Sequence, residues 1–255
     1  MNWSNYPFYI VFDEMPVFTF FTTRHCGVSL WPFESFNVGF NTPDKPASVI
    51  QNRLLVASKT NIPIESFVFL KQVHKDCILY VDKNQCKNAL QEPALEGDGM
   101  FTDKKGICLG ITLADCVGVV IYDRKQHIAG ICHSGWKGCM LNICGKLVDK
   151  MVERCGCLAS NLIVSISPSI CYNCYTVSEE IVARFSEHYM NFTRKRFNRY
   201  HLDLRGIVLY QLISKGIKKE NIFNPDICTF ENTHIFYSHR AEKNTGRFMF
   251  GVYLR

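Results

Sequence analysis

Much of what defines common protein classes is missing from this chain. No apolar run approaches the roughly 18 residues of a membrane-spanning helix, so no membrane partner is expected. The opening residues, Met1-Asn2-Trp3-Ser4-Asn5-Tyr6-Pro7, lack a basic segment and a small-residue cleavage site, which points to a reducing, cytoplasmic setting. No period of about 20 to 50 residues recurs. No polar linker or composition break divides the 255 residues, so one domain over 1–255 is expected. A second CxxC is missing. Cys171-Tyr172-Asn173-Cys174 stands alone, and Cys155-Gly156-Cys157 has the wrong spacing, which argues against a metal role for that motif. Eight scattered histidines are too few for a multicopper oxidase. Strong charge of one sign is also absent. The formal net charge is +6, and the one basic cluster, Arg194-Lys195-Arg196-Phe197-Asn198-Arg199, reads as a solvated face rather than a nucleic-acid surface. An anionic substrate such as phosphate fits this mild balance.

What is present is a core-forming chain, 47% hydrophobic, with an odd and high count of 13 cysteines. In a reducing compartment these are free thiols, many of them acting as small core residues. Strand-type runs at 18–23, 67–73, 77–81, 106–113, 162–166, 235–238 and 247–253 alternate with helical patterns. A helix starts near Asp44. Thr176 and Glu179 form a capping-box signal for a helix to about Tyr189. A third helix covers 204–215, with Gly216 as its terminator. Residues 83–97 read as an exposed polar loop and Asp98-Gly99 as a turn. The mixture implies a mixed-sheet α/β fold.

Three residues carry the chemistry: His74, Cys116 and His133. Two neutral imidazoles and a thiolate make a three-ligand zinc set whose fourth position stays open for water. Hairpin geometry brings two of them together. The β-branched run 117–122 and the run 127–132 flank a short polar loop, which reads as a β-hairpin. Pairing Tyr122 with His127 sets Cys116 directly opposite His133, with Cβ atoms roughly 5 Å apart. A one-residue slip would send the two side chains to opposite faces. After His133, apolar residues Met140, Cys144, Leu147, Val148 and Met151 recur at helical spacing, with Ser134 as a candidate cap. A helix start beside His133 offers backbone N–H groups to an anion.

Other residues are weaker candidates on their own. Asp115 adjoins Cys116 and is read as orienting a ligand, accepting a proton or making a structural hydrogen bond. Arg24, Asn37 and Arg53 stand beside apolar runs. His239-Arg240 follows a strand-type run and faces either a pocket or an ion pair.

The ordered segments Thr23-Arg24-His25, Ser35-Phe36-Asn37-Val38-Gly39, Gln72-Val73-His74, Gly97-Asp98-Gly99, Ala114-Asp115-Cys116, His133-Ser134-Gly135-Trp136, Pro168-Ser169-Ile170, Phe236-Tyr237-Ser238-His239-Arg240 and Gly246-Arg247 resemble a known family. This is the laccase-domain or "polyphenol oxidase" group, described as zinc-dependent purine nucleoside phosphorylases. The resemblance runs from about Phe20 to Val252. It implies a single α/β domain related to toxin deamidases, with zinc on His74, Cys116 and His133. It implies phosphorolysis of adenosine, inosine, guanosine and S-methyl-5′-thioadenosine, plus deamination of adenosine by zinc-activated water. Arg24, Asn37, Ser169, His239 and Arg240 are then candidates for holding nucleoside and phosphate. Cys26, Lys75, Gly118, Lys137 and Ser167 depart from the family pattern, and none removes a ligand. Two other chemistries stay open: a metal-free Cys–His hydrolase or deamidase, and copper-dependent phenol oxidation. A non-enzymatic interaction protein is a further alternative.

Overall fold

The computed structural model describes residues 8–85 and 89–255. The opening segment Met1–Pro7 and part of the expected polar loop, residues 86–88, lie outside the described residues. In chain order the structure runs β1 (Tyr9–Val11), β2 (Phe18–Thr22), α1 (Pro46–Thr60), β3 (Phe67–Phe69) and β4 (Ile78–Tyr80). It continues with β5 (Gly99–Thr102), β6 (Ile107–Leu113), β7 (Val117–Asp123), β8 (Ile128–Ser134), α2 (Trp136–Met140) and α3 (Ile143–Cys155). Then come β9 (Leu162–Ile166), β10 (Thr176–Val177), α4 (Glu179–Val182), β11 (Thr193–Arg196), β12 (Arg199–Leu202) and α5 (Leu204–Ser214). The last are β13 (Ile222–Phe223), α6 (His239–Glu242) and β14 (Phe248–Leu254).

The strands form a five-stranded sheet ordered β1-β2-β14-β6-β3 and a six-stranded sheet ordered β13-β9-β7-β8-β5-β4, with a small third sheet β10-β12-β11. Both large sheets are mixed, so the fold is mixed α/β as expected. The two sheets pack face to face. In the seam, Leu109, Ile111, Phe248 and Phe250 of the first sheet meet Val120, Tyr122, Ala129 and Ile131 of the second. Helix α1 covers the outer face of the first sheet through Val56 and Ala57. Helices α3 and α5 cover the outer face of the second through Leu147, Val148, Ile207 and Val208. Four layers result, and strands covered on both faces explain why β6, β7 and β8 are buried throughout rather than alternating with solvent. No helix among the described residues is long and apolar enough to cross a membrane.

Several expectations change. The β7–β8 hairpin exists, but its register pairs Asp123 with Ile128 and Gly118 with His133. The turn sits one residue later because Asp123 Oδ1 accepts from the N–H groups of Lys125 and Gln126, and His127 takes a left-handed backbone at φ 55°. The resulting shift in pairing conserves parity, so Cys116 and His133 still share the face toward the first sheet. Ser134 ends β8 and caps nothing; Gly135 precedes α2. The helical pattern after it breaks at Asn142, whose φ of 58° separates α2 from α3. Thr176 pairs in β10, leaving only the four-residue α4 behind Ser178. Residues 235–238 form a buried turn rather than a strand, with the Ile235 and Phe236 N–H groups donating to the Asn232 carbonyl. The basic cluster forms the exposed β11–β12 hairpin, with Phe197 at its tip.

Gly118 permits the sheets to close next to His133. A Cβ there would stand 2.7 Å from Phe250 Cδ1 and 2.8 Å from Leu113 Cδ1. Replacing Gly118 with valine should therefore overpack the seam and lower stability by about 1–3 kcal/mol in urea unfolding.

Candidate metal centre

His74, Cys116 and His133 converge at the end of the seam between the two sheets. Each offers one donor atom, and the three atoms lie within 4.8 Å of one another. The two imidazoles meet edge to face, with ring centroids 4.7 Å apart. Each donor comes from a different part of the sandwich. His74 follows β3 of the first sheet, His133 lies on β8 of the second, and Cys116 sits on the crossing from β6 to β7.

Sequence reasoning misses the residue that organises this site. Asp98 is fully buried. Its Oδ1 accepts from the His74 N–H at 3.0 Å, and its Oδ2 accepts from Val73 N at 3.1 Å and Lys75 N at 2.8 Å. Three successive N–H groups thus wrap one carboxylate and hold His74 in its left-handed conformation at φ 57°. Asp98 Oδ1 also lies 2.9 Å from His133 Nδ1. That contact makes Nδ1 the protonated nitrogen and leaves Nε2 for a metal, the arrangement that orients and strengthens histidine ligands. Backbone pairing sets the distance, since His133 N donates to the Asp98 carbonyl at 2.7 Å. The available signal is a carboxylate between two glycines at the start of a buried strand. Gln72 completes the anchoring. Its Oε1 accepts from Thr112 N and Oγ1, and its Nε2 donates to the Thr112 carbonyl.

Asp115 serves the crossing that presents Cys116. It takes a left-handed backbone at φ 89°. Its Oδ1 accepts from Thr229 Oγ1 and Ser238 Oγ, both at 2.7 Å, and its Oδ2 accepts from Arg240 N at 2.6 Å. Its carbonyl accepts from Ile170 N. Both carboxylate oxygens thus accept hydrogen bonds that hold the crossing in place, at the edge of the cavity onto which the three donors open.

The three donors are electrostatically coupled. Burial opposes the Asp98 charge, but the His133 imidazole and the Lys75 and Val73 N–H groups outweigh it and hold the carboxyl below its usual range. Burial also opposes the Cys116 thiolate, yet His133 and His74 overcome it and bring the thiol down to about 6. On His133, burial is overcome by Cys116 and Asp98, which raise it to about 9. The pair therefore favours a thiolate beside a protonated imidazole, and a cation binding here competes with the His133 proton.

Gly135 leaves room for the donors to meet. A Cβ at this position would lie 2.9 Å from Cys116 Sγ and 3.5 Å from His74 Cδ2. The cluster opens onto a cavity of about 320 Å³ that is also lined by Thr112, Trp136, Tyr175, His239, Arg240 and Arg247. Arg240 Nη1 donates to the Thr176 carbonyl, with its guanidinium 4.8 Å from the Tyr175 ring centre. Arg247 Nη1 donates to the Thr245 and Gly246 carbonyls. Both groups are thereby held in place at the cavity wall. Burial, Arg247 and Arg240 lower the pKa of His239 and favour its neutral form.

Of the five substrate-binding candidates, His239 and Arg240 line this cavity, while Arg24, Asn37 and Ser169 do not. Arg24 is committed to Glu242 Oε1 at 2.8 Å, to the Thr233 carbonyl and to the Tyr237 ring. Asn37 is fully buried and bonds Gly39, Thr42, Asp44 and the Arg247 N–H, so it supports the cavity wall from behind. Ser169 is fully buried, and its backbone pairs with the 227–229 segment. Arg53 bonds the Val38 and Ala89 carbonyls and stacks 3.9 Å from the Phe69 ring centre, away from the cluster. Arg247 lies in a matched motif, which is the only sign in the sequence of its place in the cavity wall.

Three outcomes follow. In chelator competition, Asp98→Asn should weaken metal binding about 10- to 100-fold by removing the charge behind His133. Gly135→Ala should block the centre and abolish tight binding there. Metal affinity should rise about tenfold per pH unit between about 6 and 9, as the His133 proton ceases to compete, and fall more steeply below about 6 as Cys116 also protonates.

Residues 18–255 match the model of a family described as multi-copper polyphenol oxidoreductase laccase. Purine nucleoside phosphorylase YlmD of Bacillus subtilis (strain 168) is 34% identical over 239 residues, covering 90% of this chain and 85% of that protein. Adenosine deaminase RL5, from an unknown prokaryotic organism, is 29% identical over 219 residues, covering 82% and 83%. The crystal structure of the Bacillus licheniformis hypothetical protein YfiH superposes with a TM-score of 0.94 at 30% identity, covering 98% of each chain. Matched in sequence from β2 to the last residue and in fold over nearly its whole length, the chain belongs to this laccase-like family.

Proposed function

We propose that this chain is a zinc-dependent purine nucleoside phosphorylase acting on adenosine, inosine, guanosine and S-methyl-5′-thioadenosine, with adenosine deaminase activity at the same centre. The observation that carries this reading is one cavity shared by the His74, Cys116 and His133 donors and the guanidinium groups of Arg240 and Arg247. Relatives named purine nucleoside phosphorylase and adenosine deaminase support it. The described cysteines are all free, which fits a cytoplasmic setting.

The donor set suits zinc. A thiolate and two imidazoles are ligands that zinc takes in tetrahedral sites, and three protein ligands leave one position open, as catalytic zinc requires. Copper accepts the same donors. Among the described residues, however, no other histidine cluster adjoins this one to hold the further coppers of a multicopper oxidase. When bound, zinc supplies Lewis acidity and a lowered pKa for water.

The chain's own residues do the rest. Phosphorolysis forms a bond from a phosphate oxygen to ribose C1′ and breaks the bond from C1′ to the purine nitrogen. Arg240, an expected candidate, and Arg247, in place of Arg24, hold the phosphate dianion through charge-assisted hydrogen bonds. Trp136 and Tyr175 offer aromatic faces to the purine. His239 bonds a ribose hydroxyl without adding charge. Asp115 acts by position, holding Cys116 and the Arg240 backbone in one frame. A metal-free Cys–His hydrolase would also use the Cys116 thiolate, but it leaves the convergence of His74 without a purpose.

Chromatography of products from adenosine separates these readings. Zinc-loaded protein should yield adenine and ribose phosphate only when phosphate is present and inosine when it is absent, while His74→Ala yields neither. Turnover that persists in His74→Ala and is lost on thiol alkylation would instead establish the hydrolase. Arg240→Ala should raise the KM for phosphate about 10- to 100-fold, the loss of one charge-assisted hydrogen bond, as read in phosphate titrations.

A further inference from the structure

A second group of metal-binding side chains lies outside this cavity. Cys171, Cys174, Cys228 and Glu231 each offer one donor atom, and all four atoms lie within 4.8 Å of one another. We propose that this cluster is a second, structural zinc site, closed by three thiolates and one carboxylate.

The backbone is already shaped for it. Cys171-x-x-Cys174 and Cys228-x-x-Glu231 are two loops of the same spacing. In the first, Tyr175 N donates to the Cys171 carbonyl at 3.0 Å; in the second, Asn232 N donates to the Cys228 carbonyl at 3.1 Å. Each is a tight turn that presents two donors from one side. The turns are locked together by a parallel bridge between Ser169 and Cys228. An N–H···S contact crosses between them, from Cys171 N to Cys228 Sγ at 3.3 Å. Such a contact favours the ionised sulfur. Two paired turns with a two-residue spacer are the frame that zinc ribbons use. The second turn ends in glutamate, so the sequence carries no second CxxC.

The distances suit zinc. Donors on a tetrahedron with bonds of about 2.3 Å stand roughly 3.8 Å apart, so closing the cluster takes side-chain movement of about 1 Å or less. Cys174 Sγ already donates to Glu231 Oε1 at 3.4 Å, a contact that a cation would replace. Without a cation Cys174 and Cys228 resist ionisation. Burial and then Cys171 push Cys174 up, and burial acts likewise on Cys228. A divalent ion reverses that balance by offsetting part of four crowded negative charges. A disulfide would use two sulfurs and leave the third and the carboxylate without a role. With four protein donors no position stays open, so this site is structural. It ties together the loops whose Thr229 Oγ1 and Ile170 N bond Asp115, and whose Tyr175 lines the cavity.

The test is metal content of full-length protein, which does not depend on any catalytic activity. After dialysis against metal-free buffer, wild type should hold two zinc ions per chain, one for each cluster. His74→Ala/Cys116→Ala should keep one and lose it on adding Cys174→Ser. Cobalt loading of the double variant should give sulfur-to-cobalt charge-transfer absorption. If the triple variant does not fold, Glu231→Gln in the double-variant background serves, with zinc held at least about tenfold more weakly in chelator competition. A double variant without zinc, zinc binding in that background unchanged by Cys174→Ser or Glu231→Gln, or a disulfide among these cysteines by mass spectrometry overturns the proposal.

Discussion

A single buried carboxylate sets the geometry on which this centre depends. Asp98 receives three consecutive N–H groups from the His74 segment and faces the ring nitrogen of His133. It thereby joins two donors that arise from different sheets. A charge buried this completely is tolerated only because its oxygens are occupied by hydrogen-bond donors. The same contacts that satisfy it fix the rotation of one imidazole and the backbone of the other. The left-handed conformation at His74 is maintained by this surrounding network rather than by any preference of its own.

The third member of the cluster depends on a second carboxylate of different character. Asp115 faces hydroxyls and a backbone N–H from the loops around it, and its own left-handed turn delivers Cys116 at the crossing between the sheets. The loops that bond Asp115 through Ile170 and Thr229 also carry the Cys171–Glu231 cluster. The centre is thus supported from the sandwich by Asp98 and from the loops by Asp115. The arginines that face the cavity are fixed in the same way, each through backbone carbonyls. An anion entering the cavity meets groups already oriented, which reduces the ordering cost of binding it.

The fold class and the meeting of Cys116 with His133 are legible in the sequence because both depend on local pattern. The β-branched runs on either side of Arg124-Lys125-Gln126 identify a hairpin, and parity alone puts the two side chains on one face. The register is not legible, because Asp123 caps the turn with its own side chain, a detail that propensity does not carry. The capping-box pattern at Thr176 misleads for a related reason: sheet pairing with His201 outweighs a local helix signal. Asp98 looks like a turn residue because its partners are distant in sequence. Arg24 is a substrate candidate only through the family resemblance, and nothing beside it in the sequence signals its ion pair with Glu242. Cys228 and Glu231 escape notice because they stand 57 residues beyond Cys171 and Cys174, and only the tertiary bridge at Ser169 brings them close.

The most direct test of the central claim is anomalous diffraction at the zinc edge from crystals of the full chain grown with zinc. A peak bonded to His74, Cys116 and His133 is expected, with Nδ1 of His133 turned to Asp98 and one coordination position open to the cavity. Ordered side chains with no anomalous density between them, or His133 rotated so that Asp98 loses its partner, would contradict it.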